Sequence, residues 1–245
     1  MAAMNPQSFT ELQPKVVLGI AAHPDDLDFG AGGTLAAFAK QGAKVHYLQI
    51  TDGGKGSADP SVTTDEIVKT RQQEQLAACE AIGGTGVQFL RHPDGELEVT
   101  LALKEEIVRV IRTLKPDVVI TTDPTVIYDE RTGMVNHSDH RAAGLATLDA
   151  VYPLARDHLA CPKLITEGLA PHKVKTVLMT NFSHQNYFIN ITDVLDSKFA
   201  AVKAHASQIK DYEAMKQLFT EVATRMGEKA GYTYAEGFVR LDMMP

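Results

Sequence analysis

The sequence is poor in cysteine, in long apolar runs and in positive charge, and each shortage argues against a class of protein. Its two cysteines, Cys79 and Cys161, are isolated, which argues against a CxxC-type site. No apolar run approaches the roughly 20 residues that a membrane-spanning helix requires. Acidic residues outnumber basic ones by 31 to 24, so the formal net charge is -7. Such a chain does not favour binding to nucleic acids or to anionic membranes.

The beginning of the chain also lacks a targeting signal. Residues 1–14 have neither the basic start nor the apolar centre of a signal peptide, so we interpret them as a flexible N-terminal tail. The remaining residues, 15–245, are enough to bury a sizeable core and are expected to form a single domain. These features predict a cytoplasmic protein without a nucleic-acid or membrane partner.

Short apolar segments alternate with helical patterns along this domain. The segments with strand character are residues 15–22, 44–51, 87–90, 117–122, 175–179, 187–191 and 238–241. Helical patterns cover residues 33–41, 64–82, 101–114, 139–152, 194–210 and 212–226. Thr63 and Glu66 fit a capping box at the start of the second helix. The alternation predicts an α/β fold: a Rossmann-like, doubly wound, mostly parallel sheet flanked by helices, with a C-terminal elaboration.

The first motif with chemical content is Ala22-His23-Pro24-Asp25-Asp26, which contains an imidazole and two carboxylates. It directly follows the first strand, whose apolar run is typical of a strand buried on both faces. Polar residues in that place lie at the carboxyl edge of the sheet, where open α/β folds bind their ligands. A glycine-rich turn at residues 30–34 and then a helix come next. The motif therefore predicts a metal site at this edge.

A second motif, Asn136-His137-Ser138-Asp139-His140, opens a helix after the fourth strand and a long loop. In a sheet of order 3-2-1-4-5 the first and fourth strands are neighbours, and the loops after them face one crevice. His23 and Asp26 would then meet His140 across that crevice. Two imidazoles, one carboxylate and a position left for water are typical of catalytic zinc, whereas structural zinc usually has cysteine ligands. The same ligands suit Fe(II), so the identity of the metal stays open.

Further motifs lie elsewhere in the chain. They are Arg71-x-x-Glu74, Ala204-His205-Ala206-Ser207-Gln208 and Ala235-Glu236-Gly237-Phe238. Taken with the two histidine motifs and Gly30-Ala31-Gly32-Gly33-Thr34, they resemble the PIG-L/LmbE superfamily of zinc-dependent N-deacetylases. Members of that family act on N-acetylglucosamine-type substrates. The resemblance extends over nearly the whole chain and implies a deacetylase with a small amino-sugar substrate.

The resemblance also implies which residues bind the metal and which one acts as the base. Zinc would be held by the histidine and second aspartate of the first motif and by the last histidine of the second. These ligands are His23, Asp26 and His140 in this sequence. The first aspartate, Asp25, would be the general base in a zinc-assisted hydrolysis that releases acetate and a free amino sugar.

Other residues receive roles from the same resemblance. His137 would steady the tetrahedral intermediate, and Asp139 would orient His137 and tune its charge. Substrate contacts are implied for Arg71, Asp94 and His205. The resemblance also implies that the protein forms a homo-oligomer, either a trimer or a hexamer.

Two positions depart from the family's pattern. Ser138 replaces a usual proline in the second motif, and Gly54 replaces a glutamate that is often found after the second strand. The region around Gly54 resembles a substrate-contacting loop, so the group attached to the amino sugar stays open. It could be inositol, malate, a second sugar of a chitobiose-type disaccharide, or part of an antibiotic intermediate.

Two other functions remain compatible with parts of the sequence. Gly30-x-Gly32 between a strand and a helix partly matches a dinucleotide fingerprint. Its GxGG spacing differs from that fingerprint, however, and two carboxylates would repel a pyrophosphate. A non-catalytic, metal-dependent sugar-binding protein would keep the three metal ligands but would not need Asp25 or His137. The presence of both residues favours the enzyme.

Several of these residues also have simpler structural interpretations. Arg71 and Glu74 could form an exposed ion pair on one helix face. His205 could pack against the core and not line a site. His92-Pro93-Asp94 looks like a copy of the first motif, but a turn is expected at Pro93 and no metal is expected at His92.

Overall fold

Strands and helices alternate along the chain. A computed structural model describes residues 11–130, 133–181 and 183–244. The first half contains β1 (Val16–Ala21), α1 (Asp26–Lys40), β2 (Lys44–Thr51), α2 (Thr64–Ala81), β3 (Gly86–His92), α3 (Leu101–Leu114) and β4 (Val118–Thr122). The second half contains β5 (Tyr128–Asp129), β6 (Met134–Val135), α4 (Ser138–Asp149), α5 (Pro162–Thr166), β7 (Thr176–Thr180), β8 (Tyr187–Asn190), α6 (Leu195–Ala204), α7 (Tyr212–Ala230) and β9 (Ala235–Asp242). Residues 1–10 of the predicted tail lie outside the described residues, and Leu12 packs against the core.

The central sheet has the strand order β3-β2-β1-β4-β7-β9-β8. Neighbouring strands from β3 to β7 are parallel, whereas β9 pairs antiparallel with both β7 and β8. The predicted order 3-2-1-4-5 is confirmed, with β7 as its fifth strand, and β8 and β9 belong to the C-terminal elaboration. Because β1 and β4 are adjacent and parallel, the segments that follow them begin at the same edge of the sheet.

Two apolar layers cover the two faces of this sheet. Successive residues of β1 point to opposite faces, so Leu18 and Ile20 belong to one layer and Val17 and Ala21 to the other. Helices α3 and α4 supply the first layer, and α1, α2 and α6 supply the second. Burial on both faces explains why the central parallel strands are nearly continuous apolar runs in the sequence.

Helix α1 begins at Asp26, although the sequence pattern places its start at Gly33. The glycine-rich stretch is part of the helix, so the predicted turn is wrong. A Cβ atom at Gly33 would lie only 2.9 Å from Ile191. The backbone N–H groups of Gly33 and Thr34 also donate to the Glu236 carboxylate, at 3.0 and 2.7 Å. Gly33 therefore lets the segment after β8 and the start of β9 approach the helix.

The remaining differences concern short elements and helix ends. The sequence pattern misses the β5–β6 hairpin and α5, which are too short to show a periodicity. It also extends one helix to residue 210, whereas α6 ends at Ala204. The capping box of Thr63 and Glu66 at the start of α2 is confirmed. No helix in the described part of the chain is long and apolar enough to cross a membrane.

Candidate active site and metal centre

The first histidine motif forms the link between β1 and α1. His23 and Asp25 are buried there, and Asp26 is the first residue of α1. The backbone of Asp25 has a φ of 102°, which is uncommon for a residue other than glycine. A backbone in such a region costs on the order of 1–3 kcal/mol, and such residues cluster at functional sites. The two carboxylates diverge in this conformation, Asp25 towards Arg71 and Asp26 towards His140.

The three predicted metal ligands meet at the carboxyl edge of β1 and β4. Asp26 Oδ1 lies 3.0 Å from His140 Nε2, and Asp26 Oδ2 lies 3.5 Å from His23 Nδ1. His23, His137 and His140 each offer a ring nitrogen, and these nitrogens lie within 4.8 Å of one another. Imidazole nitrogen and carboxylate oxygen are suitable donors for a divalent transition-metal ion. The side chains therefore fit such an ion without any cysteine.

Two more carboxylates lie on the other side of the His23 ring. His23 Nε2 is 2.9 Å from Asp94 Oδ1 and 3.3 Å from Asp139 Oδ2. Metal-ligating histidines commonly donate their second ring N–H to a carboxylate, which fixes the ring and its tautomer. Asp94 and Asp139 thus hold the ring so that its Nδ1 atom faces Asp26.

The contacts of Asp139 differ from the sequence prediction. Asp139 is predicted to orient His137, but its carboxylate contacts His23. The same carboxylate accepts the backbone N–H groups of Gly95 and Leu97, at 2.7 and 3.3 Å. Only the backbone N–H of Asp139 reaches His137, at its Nδ1 atom. The carboxylate of Asp139 therefore contacts the predicted metal ligand His23, while its negative charge still opposes the lowering of the pKa of His137.

Two residues predicted to contact substrate are buried against other protein groups. Asp94 lies against His23 and accepts the backbone N–H of Lys55 at 2.9 Å. His205 is fully buried, and its Nε2 atom is 2.9 Å from Asp28 Oδ2. The structure therefore places His205 beneath the site and not along it, since α6 has already ended at that residue and its ring points inward.

Arg71 is also buried and does not form the exposed ion pair with Glu74. Its guanidinium donates to the carbonyl oxygens of Pro24 and Gly53, at 2.6 and 3.0 Å. Its Nη2 atom lies 3.2 Å from Asp25 Oδ2. Glu74 instead accepts hydrogen bonds from the segment after α6. The guanidinium of Arg71 therefore contacts the predicted base, and its substrate contact stays a prediction.

The charges around His23 are strongly coupled. Burial alone would lower the pKa of His23, but its hydrogen bonds to Asp26 and Asp94 raise it to about 10. Burial would raise the pKa of Asp26, yet His140 and His23 hold it well below its usual range. The cluster therefore carries enough negative charge for a cation, and protons compete with a metal ion for these ligands.

The pKa of Asp25 is shifted in the direction opposite to that of Asp26. Burial and the neighbouring Asp26 carboxylate raise the pKa of Asp25 to about 7, although the positive charge of Arg71 opposes the shift. A general base is most efficient when its pKa lies near the working pH. The electrostatics of Asp25 therefore suit proton transfer, whereas those of Asp26 suit metal binding.

His137 is exposed and has one ring nitrogen engaged. Its Nδ1 atom accepts the backbone N–H of Asp139 at 3.1 Å, so the ring proton lies on Nε2 when His137 is neutral. Partial loss of hydration of the ring and the charge of His23 lower the pKa of His137, which favours this neutral form. The ring centroid lies 4.9 Å from that of His23. His137 can therefore donate a hydrogen bond from Nε2 beside the metal ligands.

Sequence reasoning misses two amides that contact the site. Asn136 Oδ1 lies 3.3 Å from His140 Nδ1, on the side of that ring opposite to Asp26. Gln75 Oε1 accepts the backbone N–H of Asp25 at 3.1 Å. Helical spacing is the signal that could have found Gln75, because it lies four residues after Arg71 on α2. Asn136 likewise lies four residues before His140, at the start of α4.

A cavity of the protein lies apart from these residues. It has a volume of about 670 Å³, and none of the predicted site residues lines it. Phe29 and Gly30 of α1 form one wall, and the apolar face of α7 with Leu218 and Phe219 forms another. The groups of metal-ligating side chains found in the described residues lie at the histidine cluster and not in this cavity.

Similarity to known proteins agrees with this geometry. Residues 18–151 match a family model described as PIG-L: GlcNAc-PI de-N-acetylase. Diacetylchitobiose deacetylase from Thermococcus kodakarensis is 35% identical, over 91% of this chain and 82% of its own. The family match includes the segment that carries the two histidine motifs.

Solved structures show the same fold. N,N'-diacetylchitobiose deacetylase from Pyrococcus horikoshii has a TM-score of 0.85 and 28% identity, covering 94% of this chain and 84% of that one. The 4-carboxy-2-hydroxymuconate hydratase GalB from Pseudomonas putida has a TM-score of 0.78 at 22% identity, covering 94% and 98%, which is a likeness of fold alone. The family match spans more than half of the 245 residues. The chain therefore belongs to the PIG-L family.

Proposed function

We propose that the protein is a metal-dependent N-deacetylase that hydrolyses the acetamide of an N-acetylglucosamine-type substrate. The proposal rests on two neighbouring carboxylates at one edge of the sheet that have different surroundings. Asp26 lies between two imidazoles, whereas Asp25 faces a guanidinium and has a raised pKa. The similarity to a diacetylchitobiose deacetylase supports the choice of substrate class.

The metal in this proposal is held by His23, Asp26 and His140. Zinc is our first choice, because two imidazoles and one carboxylate are typical catalytic zinc ligands, and Fe(II) is the second. When bound, the ion would polarise the acetamide carbonyl and make a water molecule more acidic. Asp94 and Asp139 would keep the His23 ring in place by accepting its Nε2 proton.

Asp25 moves the proton in this reaction. It takes a proton from the attacking water as the water oxygen bonds to the acetamide carbon, and it delivers a proton to the nitrogen as the C–N bond breaks. The contact with Arg71 keeps the carboxylate in one orientation throughout. The products are acetate and the free amino sugar.

His137 stabilises the negative charge that develops on the acetamide oxygen. Its Nε2 proton is available because Nδ1 already accepts the Asp139 backbone N–H. A donor of this kind contributes roughly 3 kcal/mol to the stability of the transition state. A non-catalytic sugar-binding protein would not need this donor or the base.

Replacing Arg71 with methionine is expected to lower kcat by roughly tenfold or more, because the base loses its partner. The guanidinium opposes the rise in the pKa of Asp25, so its removal raises that pKa further. Asp25 is then deprotonated only at higher pH, and the acidic limb of the pH profile of kcat moves to higher pH. Arg71→Lys, which keeps the charge, should move the limb less. An unchanged pH profile of kcat in Arg71→Met would show that Arg71 does not influence the pKa of Asp25.

Replacing Asp139 with asparagine is expected to weaken metal binding about 10- to 100-fold, which is the usual effect of losing a carboxylate behind a histidine ligand. Competition with a chelator measures the affinity. Asp149→Asn is the matched control, because Asp149 lies at the other end of α4 and pairs with Lys104. Equal affinities in the two variants would show that Asp139 does not support His23.

An acetate-release screen of metal-analysed protein tests the proposed function. The panel consists of N-acetylglucosamine, N,N'-diacetylchitobiose, and N-acetylglucosamine linked to inositol or to malate. Acetate release from any of them, lost on chelation and restored by zinc or Fe(II), is the expected result. Hydration of an unsaturated dicarboxylate without any acetate release would contradict it. Light scattering of the same preparation would test the trimer or hexamer that we propose as its assembly.

A further inference from the structure

A group of hydrogen-bonded side chains lies directly beneath Asp25, and we call it the buried network. Its members come from β2, α1, α2 and the residue after α6. All five are fully buried: Tyr47, Gln49, Asp28, Gln75 and His205. Polar groups without access to water are costly unless they are hydrogen-bonded to one another, so an arrangement of this size in the core calls for an explanation.

Gln75 is the member that contacts the proposed base. Its Oε1 atom accepts the backbone N–H of Asp25 at 3.1 Å and the side-chain N–H of Gln49 at 2.7 Å. The Asp25 N–H adjoins the bond whose φ is 102°. The Asp25 carbonyl accepts the backbone N–H of Phe29 at 3.0 Å, so helix α1 holds the other side of this bond. Rotation towards a common φ would therefore turn the Asp25 N–H away from its acceptor and leave it buried without a partner. The hydrogen bond therefore opposes relaxation of the strained backbone.

Asp28 determines which end of the Gln75 amide faces Asp25. A carboxylate only accepts hydrogen bonds, so Gln75 must present its Nε2 atom to Asp28 Oδ2, which lies 2.8 Å away. The Oε1 atom then faces the Asp25 N–H. Tyr47 Oη and His205 Nε2 also donate to the Asp28 carboxylate, at 2.7 and 2.9 Å. Three donors thus stabilise Asp28 as an acceptor in the interior.

We propose that Gln75 is a positioning residue for Asp25, and that Asp28 fixes the orientation of the Gln75 amide. This inference rests on the proposed function, because it assigns Gln75 a role relative to the general base. Gln75 has no exposed surface, so it does not contact substrate. Its loss should therefore lower kcat, while KM and the metal content stay near their original values.

The first test is Gln75→Met, which keeps the length of the side chain and removes its hydrogen bonds. The expected result is a kcat at least about tenfold lower, with KM changed less than twofold and the metal retained. A crystal structure of the variant should show the Asp25 φ relaxed from 102° to a negative value. Ile111→Val is the control for stability, because Ile111 is fully buried on α3 in the other apolar layer. It should lower the melting temperature without changing kcat.

The second test exchanges donor and acceptor within the buried network. Gln75→Glu alone places two carboxylates against each other and should lower kcat strongly. In Gln75→Glu/Asp28→Asn the amide at position 28 donates to the carboxylate at position 75, whose other oxygen still accepts the Asp25 N–H. The second amide proton goes to His205 Nε2, which accepts it when the ring proton moves to Nδ1. The double variant should therefore recover most of the kcat that the single variant loses. This pair also keeps the proposal testable if Gln75→Met does not fold.

An unchanged kcat in Gln75→Met with the φ of Asp25 still near 102° would overturn the proposal, and so would no recovery in the folded double variant. The proposal would also be overturned if Gln75→Met and Ile111→Val had the same melting temperature and lost the same fraction of kcat, because the loss would then follow from lower stability alone. Failure of the proposed function is a separate result, seen as metal-loaded original protein that releases no acetate. In that case the φ of Asp25 in Gln75→Met still decides whether Gln75 holds this backbone.

Discussion

Asparagine in place of Asp25 is expected to lower kcat by about a hundredfold or more while the protein keeps near-normal metal content. The substitution preserves the size of the side chain and its capacity for hydrogen bonds but removes its basicity. Asp25 faces Arg71, and the imidazoles of the cluster contact Asp26. The metal ligands should therefore stay in place. Steady-state kinetics and metal analysis of one preparation measure both quantities.

Asp26→Asn is the matched control, because it makes the same chemical change at the neighbouring position. The Asp26 carboxylate lies between His23 and His140, so an amide there is expected to weaken metal binding and to lower activity through metal loss. If Asp25→Asn removed the metal and Asp26→Asn kept it, the two roles would have to be exchanged. Full metal and full activity in Asp25→Asn would contradict the hydrolytic mechanism.

The meeting of His23, Asp26 and His140 could be predicted from the sequence because it depends on strand order. Apolar runs identify β1 and β4. The first histidine motif follows β1 directly, and the second follows β4 after a segment that contains the β5–β6 hairpin. Once the two strands are neighbours in a parallel sheet, their carboxyl ends lie side by side, and the conformation of the intervening loops does not change this. Periodicity and topology were sufficient for this part of the site.

The contacts of Asp139 could not be predicted in the same way, because they depend on a loop. Asp139 is two residues from His137 in the sequence, yet its carboxylate accepts hydrogen bonds from Gly95 and Leu97 and contacts His23. The loop after β3 has no periodicity, so nothing in the sequence shows where its backbone N–H groups point. The family resemblance implies a role of Asp139 beside His137, and the sequence contains no sign of the contact with His23.

Arg71 and His205 show a second limit, which is the burial of polar side chains. The spacing of Arg71 and Glu74 is the same whether that helix face meets water or protein. In the structure this helix face meets protein and not water, because α2 packs against α6 and the Arg71 guanidinium contacts Pro24 and Gly53. His205 is likewise oriented by Asp28, which belongs to a distant segment of the chain. Side-chain burial of this kind follows from tertiary packing and not from local pattern.

Loss of both ring ligands in His23→Ala/His140→Ala is expected to abolish metal binding and acetate release together. Asp26 would remain as the only predicted ligand, and a single carboxylate competes poorly with water for a divalent ion. Each single variant should lose most of its metal, because one imidazole and one carboxylate leave too few protein ligands. Metal analysis after gel filtration and the acetate assay on the same fractions measure the two effects.

His92→Ala provides the control for this prediction, since it also removes an imidazole near the end of a strand. His92 pairs with Glu106 of α3 at 2.7 Å and belongs to no group of metal-ligating atoms in the described residues. Its loss should leave the metal content unchanged. Stoichiometric zinc in the folded double variant, or metal loss in His92→Ala equal to that in His23→Ala, would rule out the site. The double variant keeps Asp25 and Arg71. If it folds and releases no acetate, the base alone does not hydrolyse the amide.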